Sequence, residues 1–159
     1  KSNASCKNYI DISLVEPTTT TTTSTSTSTT TTTTTILPVN ALITFTTQHV
    51  GGDYEVYMTV TSGTLLDSLT ASGTVEGYTD LACSIPAASG NGTFTSLIIN
   101  PGFPGYAFTL LSGNPHDDWQ SRNLAALVID GNIITSSPQD IVVGGHTYRI
   151  VGKGLCATL

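Results

Sequence analysis

At 159 residues the chain has room for one domain of ordinary size. Charged side chains make up only 10%, far below the roughly 25% of an average soluble domain, so threonine, serine, asparagine and glycine must supply the polar surface. With a net charge of −6 and five basic residues, nothing is available to neutralise a run of phosphates, which argues against nucleic acid or an anionic membrane surface as partner.

The chain opens without an initiator Met or a signal peptide, so Lys1 reads as a processed N-terminus or as the edge of a piece cut from a longer chain. Asn3 begins an N-x-S sequon, and Cys6 follows it. In NYIDISLV, residues 8–15, Tyr9 stands apart while Ile10, Ile12 and Leu14 alternate with Asp11, Ser13 and Val15. That is the period-2 pattern of a strand. A single strand cannot be stable alone and needs a partner sheet. Three partners are open to it: a preceding domain, its own domain, or the edge strand of a neighbouring subunit, as in donor-strand assembly. In the third case Cys6 is placed for an intersubunit disulfide, which would account for an odd cysteine count.

Residues 17–38, PTTTTTTSTSTSTTTTTTTILP, form a linker. The stretch 18–35 has no apolar side chain, no charge and no periodicity, so it cannot offset its chain entropy by packing. β-Branching favours extended backbone, and stretched out the tract would span ~60 Å at roughly 3.3 Å per residue. Its hydroxyls, among them Thr18, Thr19, Thr20, Ser24, Ser26 and Ser28, are acceptors of the kind used for O-glycosylation. A tract of this kind ahead of a Cys-poor, Lys-poor β-domain resembles the Thr-linked modular surface and virion proteins of Bacteroidetes and their phages. It is similar, less closely, to the Ser/Thr linkers of secreted polysaccharide-degrading enzymes. The resemblance covers the linker and the composition, implies an exposed fibre, appendage or adhesion module, and transfers no site residue.

From residue 39 to 159 the pattern is of strands broken by Gly, Pro, Asn and Asp. ALITFTT (41–47) puts Ala41, Ile43 and Phe45 on one face. Gly51-Gly52 turns the chain into DYEVYMTVT (53–61), where Tyr54, Val56, Met58 and Val60 face one way and Glu55, Tyr57 and Thr59 the other. TFTSLIIN (93–100), GYAFTLLS (105–112) and LAALVID (124–130) follow. Asp130-Gly131 supplies a hairpin turn into NIITS, and IVVGGHTYRIVG (141–152) leads to a short closing segment around Cys156. Seven to nine short strands with no convincing helix predict an all-β, antiparallel β-sandwich, immunoglobulin-like or jelly-roll. It is preceded by an isolated N-terminal strand (1–16) and the Thr-rich linker (17–38).

SGNPHDDWQSRN (112–123) is the most site-like stretch, carrying the only Trp, a His, two adjacent carboxylates and an Arg. As a carbohydrate-binding loop, Trp119 would stack on a sugar face while His116, Asp117, Asp118 and Arg122 supply polar contacts. The structural reading, favoured here, has Trp119 sealing one end of the sandwich and the acids capping a turn. Cys83 and Cys156 both lie in the compact part and can pair in an oxidising compartment. Asn91 begins a second sequon. A Ser–His–acid triad can be assembled on paper from His49, His116 or His146, but no GxSxG elbow supports one. No metal-ligand spacing or cofactor motif occurs, and no apolar run reaches the ~18 residues of a membrane span.

These observations predict a non-enzymatic structural subunit of an extracellular filament or virion fibre. Its partners would be copies of itself or other structural subunits, with glycans as further ligands. The alternative is a carbohydrate-binding or adhesion module of a secreted multidomain protein.

Overall fold

The computed structural model describes residues 38–102, 105–112 and 118–159. The predicted N-terminal strand with Tyr9, Ile10, Ile12 and Leu14, the Thr tract with its O-glycan acceptors, Asn3, Cys6, His116 and Asp117 lie outside the described residues. Ten strands follow one another: β1 (Val39–Val50), β2 (Asp53–Gly63), β3 (Leu69–Tyr78), β4 (Pro86–Ile99), β5 (Tyr106–Leu110), β6 (Ser121–Ile129), β7 (Asn132–Ile133), β8 (Gln139–Val143), β9 (His146–Val151) and β10 (Ala157–Thr158). Among the described residues there is no helix, so none is long and apolar enough to cross a membrane.

Two sheets form, in the orders β5-β2-β1-β9-β8 and β10-β6-β3-β4, with β7 paired to β6. Strands β1, β2, β5 facing β4, β3, β6, β10 follow the neighbour order A-B-E and C′-C-F-G of an immunoglobulin-like sandwich. The β8–β9 hairpin is an addition on the far side of β1. Among the named strand pairs one is parallel, which the sequence pattern does not announce: β1 runs parallel to β9, from Val39↔Thr147 to Thr44↔Val151.

Local chemistry sets the hairpins. Val50 and Asp53 are joined through Gly51 and Gly52, at φ 60° and 101°, and Ile129 and Asn132 through Asp130 and Gly131, at φ 46° and 80°. Positive φ at both central residues is what a tight primed turn between twisted strands requires. A third such pair, Gly144-Gly145, divides the 141–152 stretch into β8 and β9.

The alternation read from the sequence holds where it was clearest. Ala41, Ile43 and Phe45 of β1 and Tyr54, Val56 and Met58 of β2 are buried, as are Phe94, Leu97, Ile99, Leu127 and Ile129 of the facing sheet. Missing from the sequence pattern is β3, the centre of that sheet, which pairs with β4 on one side and β6 on the other. Its sequence LTASGTVEGY carries two glycines and several small residues, and its register slips near Gly73, so the hydrophobic period is broken. Residues 86–92 are likewise part of β4, ahead of the predicted start at Thr93.

Candidate assembly and binding surfaces

Of the predicted sugar-binding loop, the described residues Asp118 and Trp119 are engaged in packing and hydrogen bonds. Trp119 is only 3% exposed, so its ring offers no platform to a ligand. One face lies on Gly77, and the ring is tilted against Tyr54 with centroids 4.8 Å apart. Its indole N–H donates to Ser89 Oγ at 3.0 Å, and that hydroxyl donates to Asp118 Oδ1 at 2.6 Å. The Ser89 hydrogen bonds hold the Asp118 carboxyl below its ordinary pKa. Trp119 and Asp118 therefore anchor the chain to β4; the indole is packed, whereas Asp118 bonds Ser89 of another strand instead of capping a turn.

Arg122 is not in the loop but on β6, where it bridges the two sheets. Its Nε donates to Thr47 Oγ1 and one terminal nitrogen to the Thr47 carbonyl, both on β1; the other reaches the Thr158 carbonyl of β10 at 2.9 Å. Burial pushes its pKa down. Among the described residues the ion pairs are His146–Asp67 and Arg149–Asp140, so this half-buried guanidinium faces no carboxylate.

Cys83 and Cys156 are bonded to each other, tying the β3–β4 connection to the start of β10. The connection is further fixed by Asp80, whose carboxylate accepts from the Ser84 and Ile85 backbone N–H groups at 2.9 and 2.8 Å. Asn91 is exposed on β4, where its side chain is accessible to modification.

A His–acid pair does exist, though the sequence offered no hint of it. His146 Nδ1 lies 2.8 Å from Asp67 Oδ2, across 79 positions. The buried Tyr148 donates to the same oxygen at 2.6 Å while accepting from the Leu66 and Asp67 backbone N–H groups. No serine hydroxyl is bonded to His146 among the described residues, and the cluster instead pins the β2–β3 connection onto β9. The Tyr148 and His146 hydrogen bonds lower the Asp67 pKa. A depressed carboxylate pKa contributes stability that is full above the unfolded value and is lost as pH falls through the folded one. Thermal melting is accordingly expected to weaken as pH falls below about 4. Asp67→Asn should be less stable at pH 7 and show a shallower acid dependence. An unchanged acid limb in Asp67→Asn, followed by circular dichroism, would remove this cluster from the account.

Two exposed surfaces stand out among the described residues. On the outer face of edge strand β5, Tyr106, Phe108 and Leu110 are 45%, 52% and 53% exposed. Tyr57 of β2 joins them, stacked on Phe108 with centroids 5.3 Å apart, and its hydroxyl donates to Glu55 at 2.5 Å. The second surface lies where β9 leaves β1. Beyond Thr44↔Val151, residues 45–50 of β1 pair with β2 alone, and no described strand lies on their other flank. A groove of about 430 Å³ opens there, lined by Phe45, Thr47, Arg122, Leu124, Val151 and the half-exposed Leu155. Among the described residues no cluster of three metal-ligating side chains occurs.

No protein-family model, curated protein or solved structure matches the chain. The surfaces therefore carry the functional argument by themselves.

Proposed function

We propose that the chain is a non-enzymatic structural subunit of an extracellular assembly, a filament or a virion fibre, that displays its sandwich on the Thr tract and joins its neighbours by strand addition. The observation that carries this reading is the open flank of β1. A strand whose backbone groups have a partner on one side only is a template for another chain, and folds usually blunt such edges with charge, proline or a covering loop. Here Thr46, Gln48, His49 and Val50 are exposed and carry no Lys, Arg, Asp or Glu side chain, the only covering group being the Arg122 guanidinium on Thr47 among the described residues, and an apolar groove lies beside them. The period-2 ribbon at residues 8–15 supplies a strand of matching character. A bonded Cys83–Cys156 pair suits an oxidising location outside the cell.

Light scattering on the intact chain should give a mass well above the 16.5 kDa of the monomer, and Ile12→Asp should return it to that value. Two monomers would end the assembly reading. The second reading, an adhesion or carbohydrate-binding module, is favoured by the Tyr57, Tyr106 and Phe108 rings, since exposed aromatic faces stack on sugar rings. The same samples applied to a glycan array decide it, with binding lost in Phe108→Ala.

A further inference from the structure

We infer that the groove beside residues 45–50 of β1 is the acceptor for residues 9–15 of a second copy of this chain. The inference rests on the assembly reading and gives it a site.

Three observations select this occupant. Shape comes first. An added strand beside β1 would restore the neighbour that β9 withdraws after Val151 and continue the sheet. Ile10, Ile12 and Leu14 share one face of an extended segment, and that face would meet Phe45, Leu124, Val151 and Leu155.

Charge is second. Arg122 is the one charged residue lining the groove, and it faces no carboxylate among the described residues. The ribbon NYIDISLVE carries no cation, and its Glu16 falls on the same face as Ile10, Ile12 and Leu14. Arg122 now bonds the Thr47 carbonyl, the acceptor that an incoming strand would use. It thus holds the place of the missing strand. On insertion it exchanges that carbonyl for a carboxylate of the ribbon, a stronger charge-assisted contact.

Reach is third. The described chain begins at Pro38, ahead of β1, and the preceding residues 17–38 can span up to about 70 Å when extended. The groove lies only part of the length of one strand from Pro38, on the order of 20–30 Å at about 3.3 Å per residue. A tether roughly two to three times longer than self-closure needs, built from β-branched residues that favour extension, is long enough for delivery to a neighbour.

Disulfide trapping tests this on the full chain with Cys6→Ser throughout. Ser13 would share the outward face of the inserted ribbon with Thr46 and Gln48 of β1, all three outside the buried core. Ser13→Cys protein is mixed with an equal amount of Thr46→Cys or Gln48→Cys protein and mildly oxidised, so that any bond between the two variants is intermolecular. Leu110→Cys, exposed on the other edge of the same sheet, is the control acceptor. Covalent dimer at Thr46 or Gln48 is expected to exceed that at Leu110 on the order of ten-fold or more, because docking raises the local thiol concentration. Equal trapping at all sites, or trapping only when both cysteines are placed in one chain, overturns the inference. Wild-type protein that stays multimeric by light scattering while trapping fails would sink the groove and spare the assembly reading. Monomeric wild-type protein would sink both.

Discussion

Alanine at Gly77 is expected to destabilise the domain by about 3 kcal/mol or more, at the upper end of what overpacking costs. A Cβ built there would lie 1.7 Å from Trp119 Cε2 and 1.8 Å from Nε1, distances at which something must move. The indole has little room to yield. It is 3% exposed, tilted against Tyr54, and held by its N–H to Ser89. Tyr54 in turn is stacked on His49 at 4.6 Å, so displacement would spread toward the β1–β2 turn. Trp119→Ala removes the same contact from the other side and should cost about 3–5 kcal/mol as a large-to-small core change. The double variant is the informative one. With the ring gone the alanine at 77 has space, so Gly77→Ala/Trp119→Ala should be more stable than the sum of the single effects predicts. Urea denaturation of the four proteins checks this, and strict additivity would show that Gly77 is needed for some other reason.

Loss of the Cys83–Cys156 bond should be the second large effect. The bond closes a loop with a sequence separation of 73. The chain-entropy account puts the stabilisation from a loop of that length at about 4 kcal/mol. A domain has only 5–15 kcal/mol in total, so this is a substantial share. Melting should fall on the order of 15 °C for a domain of this size in Cys83→Ala/Cys156→Ala. The loss should appear first at β10, which pairs with β6 at only Ala157↔Arg122 and Thr158↔Ser121. Hydrogen exchange at those positions should rise well before global unfolding. A melting temperature unchanged by the double substitution would mean the bond is dispensable.

Much of this fold is legible in the sequence wherever a local rule operates. The β1 and β2 alternation, the Gly51-Gly52 and Asp130-Gly131 turns, and the pairing of the two cysteines of the compact part all follow from residues a few positions apart or from simple counting. What was not legible depends on distant segments meeting. Strand β3 hides because Gly77 is small for the sake of Trp119, some forty positions later in the chain. The parallel β1–β9 pair has no local signature, since neither strand's pattern records which neighbour it will take. Asp67 gave no sign of His146 for the same reason. The aromatic face on β5 could have been suspected, because Tyr106 and Phe108 fall on the same side of GYAFTLLS, but alternation does not say which side is wet. The groove is a matter of where β9 ends, and Gly152, whose Cβ would collide with the Phe45 carbonyl, marks that end only once the two strands are adjacent.

The long pairing of β1 with β2 has a mechanical consequence. Tension applied at Pro38 along the axis of β1 would load that strand lengthwise. Its rungs to β2 run from Ala41↔Gly63 to Val50↔Asp53, and at the loaded end β9 grips the other side. A pull in that direction must shear many cross-links at once, whereas a pull across the strand would peel them singly. The module is therefore more resistant to a pull along β1 than to one across it.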